Sequence, residues 1–131
     1  MRAEHLDLVG TPWREPGSTG QGLSCADVTA LYLGRLGLPV PPLADDWIEE
    51  SLARWIASER SPWLLLGRCV AYARKVGDIV WTEPEGAQAA GVGVVVQPGS
   101  VLTSTRDRGV QVVPARAIRG RVSVWRWRGY P

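Results

Sequence analysis

The sequence predicts an α+β fold in which N-terminal helices pack on one side of a small antiparallel β-sheet. Two observations predict it. Apolar residues recur at helical spacing in the first half of the chain, and from Gly77 onward the period changes to two, as in strands. The length of 131 residues fits one domain. We therefore expect a single domain over 1–131, with a helical part over about 1–76 and a sheet part over about 77–128.

Composition and charge exclude several classes of function. Hydrophobic residues make up 45% of the chain and charged residues 21%, which is typical of a globular domain. The net charge of +2 is too small to favour nucleic-acid binding, and the sequence contains no basic block. The first ten residues are amphipathic, and no long apolar run follows. We therefore expect no signal peptide and no transmembrane helix.

The first predicted elements lead to a cysteine. A short helix is expected around Leu6, ending at Gly10, and the Gly-, Pro-, Ser- and Thr-rich stretch 10–22 is expected to be a loop. Ser24 is typical of a helix N-cap, and Asp27 is the matching acidic residue of the first turn. Cys25 then stands at the start of this helix.

The rest of the helical part is less uniform. The first long helix is expected to end at Gly37, because a proline-rich stretch follows it. A second amphipathic helix is predicted over 44–60, with Asp45 as its cap. Its apolar stripe consists of Ile48, Leu52, Trp55 and Ile56. The next segment is ambiguous: we expect a short helix or turn near Trp63 and assign nothing further through Tyr72.

The sheet part contains five predicted strands and one helical turn over 114–120. The strands are Asp78–Trp81, Gly91–Val96, Val101–Ser104, Val110–Val113 and Arg121–Arg128. In the second strand, Val92, Val94 and Val96 share one face, whereas Gly91 and Gly93 begin the other. Because two glycines allow a neighbouring element to approach closely, we expect the Cys25 helix to pack on the glycine face and partly close the cleft.

The position of Cys25 has two interpretations. At the first turn of a helix, the partial positive charge and the unpaired N–H groups favour a thiolate, which is the form that attacks a substrate. Cys25 could instead be a small buried apolar residue, as unpaired cysteines often are. A disulfide with Cys69 is also open, since two cysteines do not establish one.

The stretch "VGTPWREPGSTGQGLSCADV" resembles the nucleophile segment of the NlpC-type cysteine peptidases, papain-like cell-wall hydrolases of bacteria and phages. "GDIVW" and "GVGVVVQPGSVLTSTRDRGVQVVP" are similar to the strands that follow in that family, in the same order. The resemblance implies a papain-like NlpC-type fold with Cys25 at the nucleophile position. It also implies a histidine at the place of Gly91 and a polar residue, often histidine, at the place of Thr103. Both positions are degenerate here.

The lack of histidine at these two positions affects the expected catalysis. Without an imidazole, nothing protonates the leaving amine and amide cleavage should stall. His5 is the sole histidine, and no motif places it beside Cys25. The resemblance therefore implies either a catalytically inactive relative, as in the tail tips of long-tailed phages, or a peptidoglycan endopeptidase or amidase whose base is unrecognised or comes from another chain. A third reading is a binder of cell-wall peptide or glycan that uses Trp13 and Trp81.

The last strand changes phase, since the valines before Trp125 and the tryptophans after Val124 lie on opposite faces. A bulge would explain this change, as would an ordinary strand end or a tail that docks on another protein. In the docking interpretation, the interface residues are Trp125, Trp127 and Tyr130. We expect tail-tip proteins (a hub and a distal tail protein) as partners, peptidoglycan as a further possible ligand, assembly into a virion made in the host cytoplasm, and no metal or other cofactor.

Overall fold

In the computed structural model, the described residues form an α+β fold with one α-helix and a six-stranded antiparallel sheet. It describes residues 3–14, 22–39, 62–83 and 91–130. The elements are α1 (Cys25–Arg35), β1 (Trp63–Gly67), β2 (Ile79–Thr82), β3 (Gly91–Gln97), β4 (Ser100–Thr105), β5 (Gly109–Pro114) and β6 (Val122–Trp127). The strand order is β1-β6-β2-β3-β4-β5, so the last strand lies inside the sheet and is the partner of β1. In this part of the chain, no helix is long and apolar enough to cross a membrane.

Helix α1 begins and ends as its sequence predicts. The Ser24 hydroxyl accepts a hydrogen bond from the Asp27 backbone N–H, and the Asp27 carboxylate accepts one from the Ser24 N–H. This reciprocal capping satisfies two of the unpaired donors at the helix start. At the other end, Gly37 adopts a φ of 76°, a left-handed conformation that stops a helix and favours glycine.

Two predicted elements of the N-terminal half are wrong. The stretch around Leu6 is a series of turns, in which the N–H groups of Leu8, Val9 and Thr11 bond to carbonyls three residues earlier. The residues from Trp63 to Gly67 form strand β1 instead of a helix or turn, so the part predicted to be helical also contains a strand. The 3₁₀ turn Val70–Tyr72 follows it. The helix predicted over 44–60 lies outside the described residues.

The predicted strands of the sheet part are confirmed to within about two residues at each end. Strands β4 and β5 pair as an antiparallel hairpin, and the helical turn expected after β5 is the 3₁₀ turn Ala115–Ala117. The sheet is buried on both faces. One face packs on α1, and the other is covered in part by the two 3₁₀ turns.

The face on which α1 packs differs from the prediction. Cys25 shares its core cluster with the β3 valines Val92, Val94 and Val96, whereas Val95 belongs to the cluster on the opposite face. Gly91 and Gly93 alternate with those three valines and therefore lie on the face away from α1. A Cβ atom at Gly93 would lie 2.5 Å from Val101 Cγ1 and 2.9 Å from the Leu102 carbonyl oxygen. Glycine at this position thus accommodates the neighbouring strand β4, and not the helix.

The change of phase in β6 needs no bulge in that strand, because both faces of the sheet are covered. Trp125 and Trp127 pack into the cluster beneath α1, and Val124 packs into the opposite cluster. Strand β6 pairs with β1 and β2 on its two sides, and it remains in the sheet through Trp127. Arg126 lies on the face away from α1, where its side chain meets Asp78.

Candidate functional site around Cys25

Cys25 is the first residue of α1 and is buried, with 6% of its surface exposed. The chain just before Cys25 is held by hydrogen bonds to the rest of the fold. The Leu23 N–H donates to the Pro12 carbonyl, and the Leu23 carbonyl accepts a 2.7 Å hydrogen bond from the Ser104 hydroxyl on β4. The start of α1 is therefore tied directly to the sheet.

A row of five side chains crosses the sheet on the α1 side at the level of this hydrogen bond. Trp81 pairs with Ser123 and with Val92, and Ser104 pairs with Val110. The β3–β4 register, extended by two residues from Val94 and Leu102, places Ser104 beside Val92. We call Ser123, Trp81, Val92, Ser104 and Val110 the cysteine-side row.

The cysteine-side row contains no ionisable side chain. Neither does any other α1-facing position of the six described strands, since the one ionisable strand residue, Arg126, lies on the opposite face. A general base or acid on the sheet would have to project from this side to reach a thiol on α1. The described strands thus place no ionisable side chain on the face of the sheet that packs on α1.

Gly91 and Thr103, the positions of the expected catalytic partners, do not face Cys25. A Cβ atom at Gly91 would point to the Thr82 hydroxyl, on the side of Val80 and the second cluster. The Thr103 side chain alternates with Leu102 and Ser104, so it also lies on the face away from α1. Its hydroxyl donates to the Val92 carbonyl at 2.8 Å.

The sole histidine lies at the other end of α1. His5 packs edge-on against Tyr32, with 6.1 Å between the ring centroids. Tyr32 is seven residues beyond Cys25, which is about 10 Å along the helix axis. Burial is the main cause that raises the pKa of the Tyr32 hydroxyl above its usual value of 10.0.

The turn that carries His5 is fixed at that distant end of the helix by Arg35. The Arg35 guanidinium donates to both carboxylate oxygens of Asp7, at 2.8 and 3.0 Å, and to the Glu4 carbonyl at 3.0 Å. These hydrogen bonds hold the pKa of the Asp7 carboxyl below its usual 3.8. His5 is therefore not placed to serve as a base for Cys25.

The two tryptophans suggested as a binding surface lie in different environments. Trp81 is half-buried in the core cluster that contains Cys25. Trp13 is half-buried beneath Arg106 of the β4–β5 hairpin, with 4.7 Å between the guanidinium carbon and the ring centroid. Cys25, Val92 and Ser104 are only 6%, 3% and 6% exposed, so these three side chains do not line an open groove.

The C-terminal aromatic residues are tied to the fold. The Trp125 indole N–H donates to the Ser123 hydroxyl, and the Tyr130 hydroxyl donates to the Val76 carbonyl, each at 2.9 Å. Lys75 Nζ lies 4.8 Å above the Tyr130 ring. Trp125, Trp127 and Tyr130 are all half-buried, so each keeps some surface for contact with another molecule.

Sequence reasoning missed the buried ion pair between Asp78 and Arg126 on the far side of the sheet. Asp78 is fully buried, and its carboxylate accepts hydrogen bonds from Arg126 Nε and Nη2 at 2.8 and 2.7 Å and from the backbone N–H groups of Arg74 and Lys75. The hydrogen bonds from Arg126 to Asp78 raise the pKa of the Arg126 guanidinium above its usual value. An arginine within an otherwise apolar strand is a signal that could have prompted a search for this partner.

Neither cysteine is in a disulfide, since Cys25 is buried and Cys69 is exposed on a turn. The described residues contain no group of three or more His, Cys, Asp or Glu side chains that could hold a metal ion.

In comparisons with known proteins, no family model matches the chain and no curated protein matches it.

Proposed function

We propose that this chain is a catalytically inactive NlpC-like domain that serves as a structural docking component of a phage or phage-like tail tip or baseplate. The observation that carries the inactive part of this proposal is the cysteine-side row. Cys25 stands at the nucleophile position of the resemblance, yet the cysteine-side row presents only Ser, Trp and Val side chains.

Amide cleavage by a cysteine requires a group that activates the thiol and a group that protonates the leaving amine. A thiol near neutral pH is only a few per cent thiolate without a partner, and the leaving amine needs a proton. Neither His5 nor the positions Gly91 and Thr103 offer these groups to Cys25. In this proposal the domain acts through its shape, as a docking module. The resemblance to tail-tip proteins is the reason for proposing a tail tip as its location.

The edge strand β1 supports the docking part of the proposal. Leu64 and Leu65 are 43% and 42% exposed, and β1 contains no charged residue to discourage pairing with another chain. Half-buried Trp125 and Trp127 lie on the adjacent strand β6. We expect this edge to contact a hub or distal tail protein.

Labelling of assembled particles tests the proposal. Antibodies raised against the purified chain and coupled to gold should label one end of the tail in negative-stain images. Leu64→Asp with Leu65→Asp should abolish incorporation into particles, while Val112→Asp, at an exposed position on the opposite edge strand, should not. Particles that lack the chain would contradict the proposal.

The second candidate is an active peptidoglycan endopeptidase or amidase with Cys25 as the nucleophile. The observation in its favour is the placement of Cys25 as the first residue of a well-capped helix. Such an enzyme would need a base from outside the described strands or from another chain. Hydrolysis of peptidoglycan that disappears in Cys25→Ala would establish this candidate.

A further inference from the structure

Val92 holds a particular place in the cysteine-side row. It is the residue at which β3 first presents a side chain to α1, and it lies between Trp81 on β2 and Ser104 on β4. Its surface is 3% exposed, and it belongs to the same core cluster as Cys25. An apolar, branched side chain thus fills the centre of the row.

The neighbouring hydrogen bond fixes the start of α1 over this row. The Ser104 hydroxyl is buried and reaches the Leu23 carbonyl, two residues before Cys25. Since α1 packs on β3 and β4, this bond determines where its first turn rests. Any group that reached Cys25 from the sheet would have to project from β3 or β4 on this side.

We propose that Val92 seals the Cys25 thiol from solvent and occupies the place from which a sheet-borne base would reach it. This inference deepens the proposed function and rests on it, because a domain that performs no catalysis has no need of an accessible thiol. The residue that blocks access to the Cys25 thiol is therefore Val92, which lies on the α1 side of the sheet. Gly91 lies on the other side.

The two cysteines provide an internal comparison. Cys69 is exposed and should react with an alkylating reagent at the rate of an ordinary surface thiol. Cys25 should react only when the packing around it opens, so its rate reports the stability of the local seal. A Cys69→Ser background isolates the Cys25 signal.

The test compares two identical truncations on one strand. Val92 and Val95 are both almost fully buried, but Val92 belongs to the Cys25 cluster and Val95 to the opposite one. In the Cys69→Ser background, Val92→Ala should raise the rate of Cys25 alkylation about tenfold over the rate in Val95→Ala, because only the first truncation opens the seal. Urea unfolding of both variants allows the rates to be compared at matched stability.

Two results would overturn the inference. One is an equal rate increase in Val92→Ala and Val95→Ala, which would mean that Cys25 reacts only through global unfolding. The other is alkylation of Cys25 in the parent as fast as that of Cys69. Val92→Ile, which keeps the site filled, should leave the rate near that of the parent. Peptidoglycan hydrolysis is measured separately, so failure of the seal is distinct from failure of the proposed function.

Discussion

The two faces of the sheet differ in where they keep charge. The face beneath α1 carries Cys25's neighbours, and none of its described strand residues is ionisable. The opposite face contains a fully buried carboxylate, Asp78, held by the guanidinium of Arg126. Among the residues that the structure describes, a buried ion pair thus stabilises the far face, whereas no strand side chain on the α1 face is ionisable.

The two faces also differ in the interactions that hold them together. The Asp78 carboxylate joins the 74–78 turn to β6, the strand that links β1 to the rest of the sheet. The α1 face depends instead on apolar packing and on the Ser104–Leu23 hydrogen bond. Each face can therefore be perturbed by its own substitution.

The largest expected effect comes from breaking the buried ion pair. Asp78→Ala leaves the Arg126 guanidinium and the Arg74 and Lys75 N–H groups without their acceptor, and we expect a loss of about 3 kcal/mol in the free energy of unfolding. This is the low end for such pairs, because the Arg126 side chain is 22% exposed. Urea denaturation measures the loss.

The control for Asp78→Ala is the exposed ion pair between Arg68 and Glu83, whose atoms are 3.7 Å apart. Glu83→Gln should change the unfolding free energy by less than about 0.5 kcal/mol, because solvent screens this pair. Equal losses in the two variants would contradict the assignment of Asp78 as the main charged contact of the far face.

A smaller effect is expected on the α1 face. Ser104→Ala removes the hydrogen bond to the Leu23 carbonyl and leaves a buried acceptor unsatisfied, which should cost about 1–2 kcal/mol of unfolding free energy. Ser100→Ala is the matched control, since Ser100 lies on the same strand and face but makes no side-chain hydrogen bond to a described residue. A loss in Ser100→Ala as large as that in Ser104→Ala would refute the role of this bond.

The smallest expected effect is a null result. Gly91→His combined with Thr103→His restores imidazoles at the two positions implied by the family resemblance, yet both lie on the face away from Cys25. We expect no peptidoglycan hydrolysis by the double variant, with folding checked by circular dichroism. Cys25-dependent hydrolysis would show that an imidazole at position 91 or 103 reaches Cys25, and it would contradict the placement of these two positions on the opposite face.

Much of the fold could be predicted from the sequence, because its signals are local. The Ser24 and Asp27 capping pair fixed the start of α1, and alternation identified the strands after Gly77. Strand β1 was missed because "WLLLG" is a continuous apolar run, whose period distinguishes neither helix nor strand.

The arrangement of the candidate site could be predicted only in part. The sequence placed Cys25 at a helix start, but alternation alone does not say which strand face meets the helix when both faces are buried. For the same reason, the sequence left open whether the tryptophans of β6 belong to the sheet or to a tail that leaves it. The Asp78–Arg126 pair spans 48 residues, and no local pattern encodes such a contact.

The most direct test of the central claim is the release of soluble fragments from purified peptidoglycan, measured for the parent and for Cys25→Ala across the neutral pH range. Because the described strands present no ionisable side chain on the face that packs on α1, we expect no release by either protein, beside an active cell-wall hydrolase as the positive control. Release by the parent that is lost in Cys25→Ala would contradict the account and establish the chain as an enzyme.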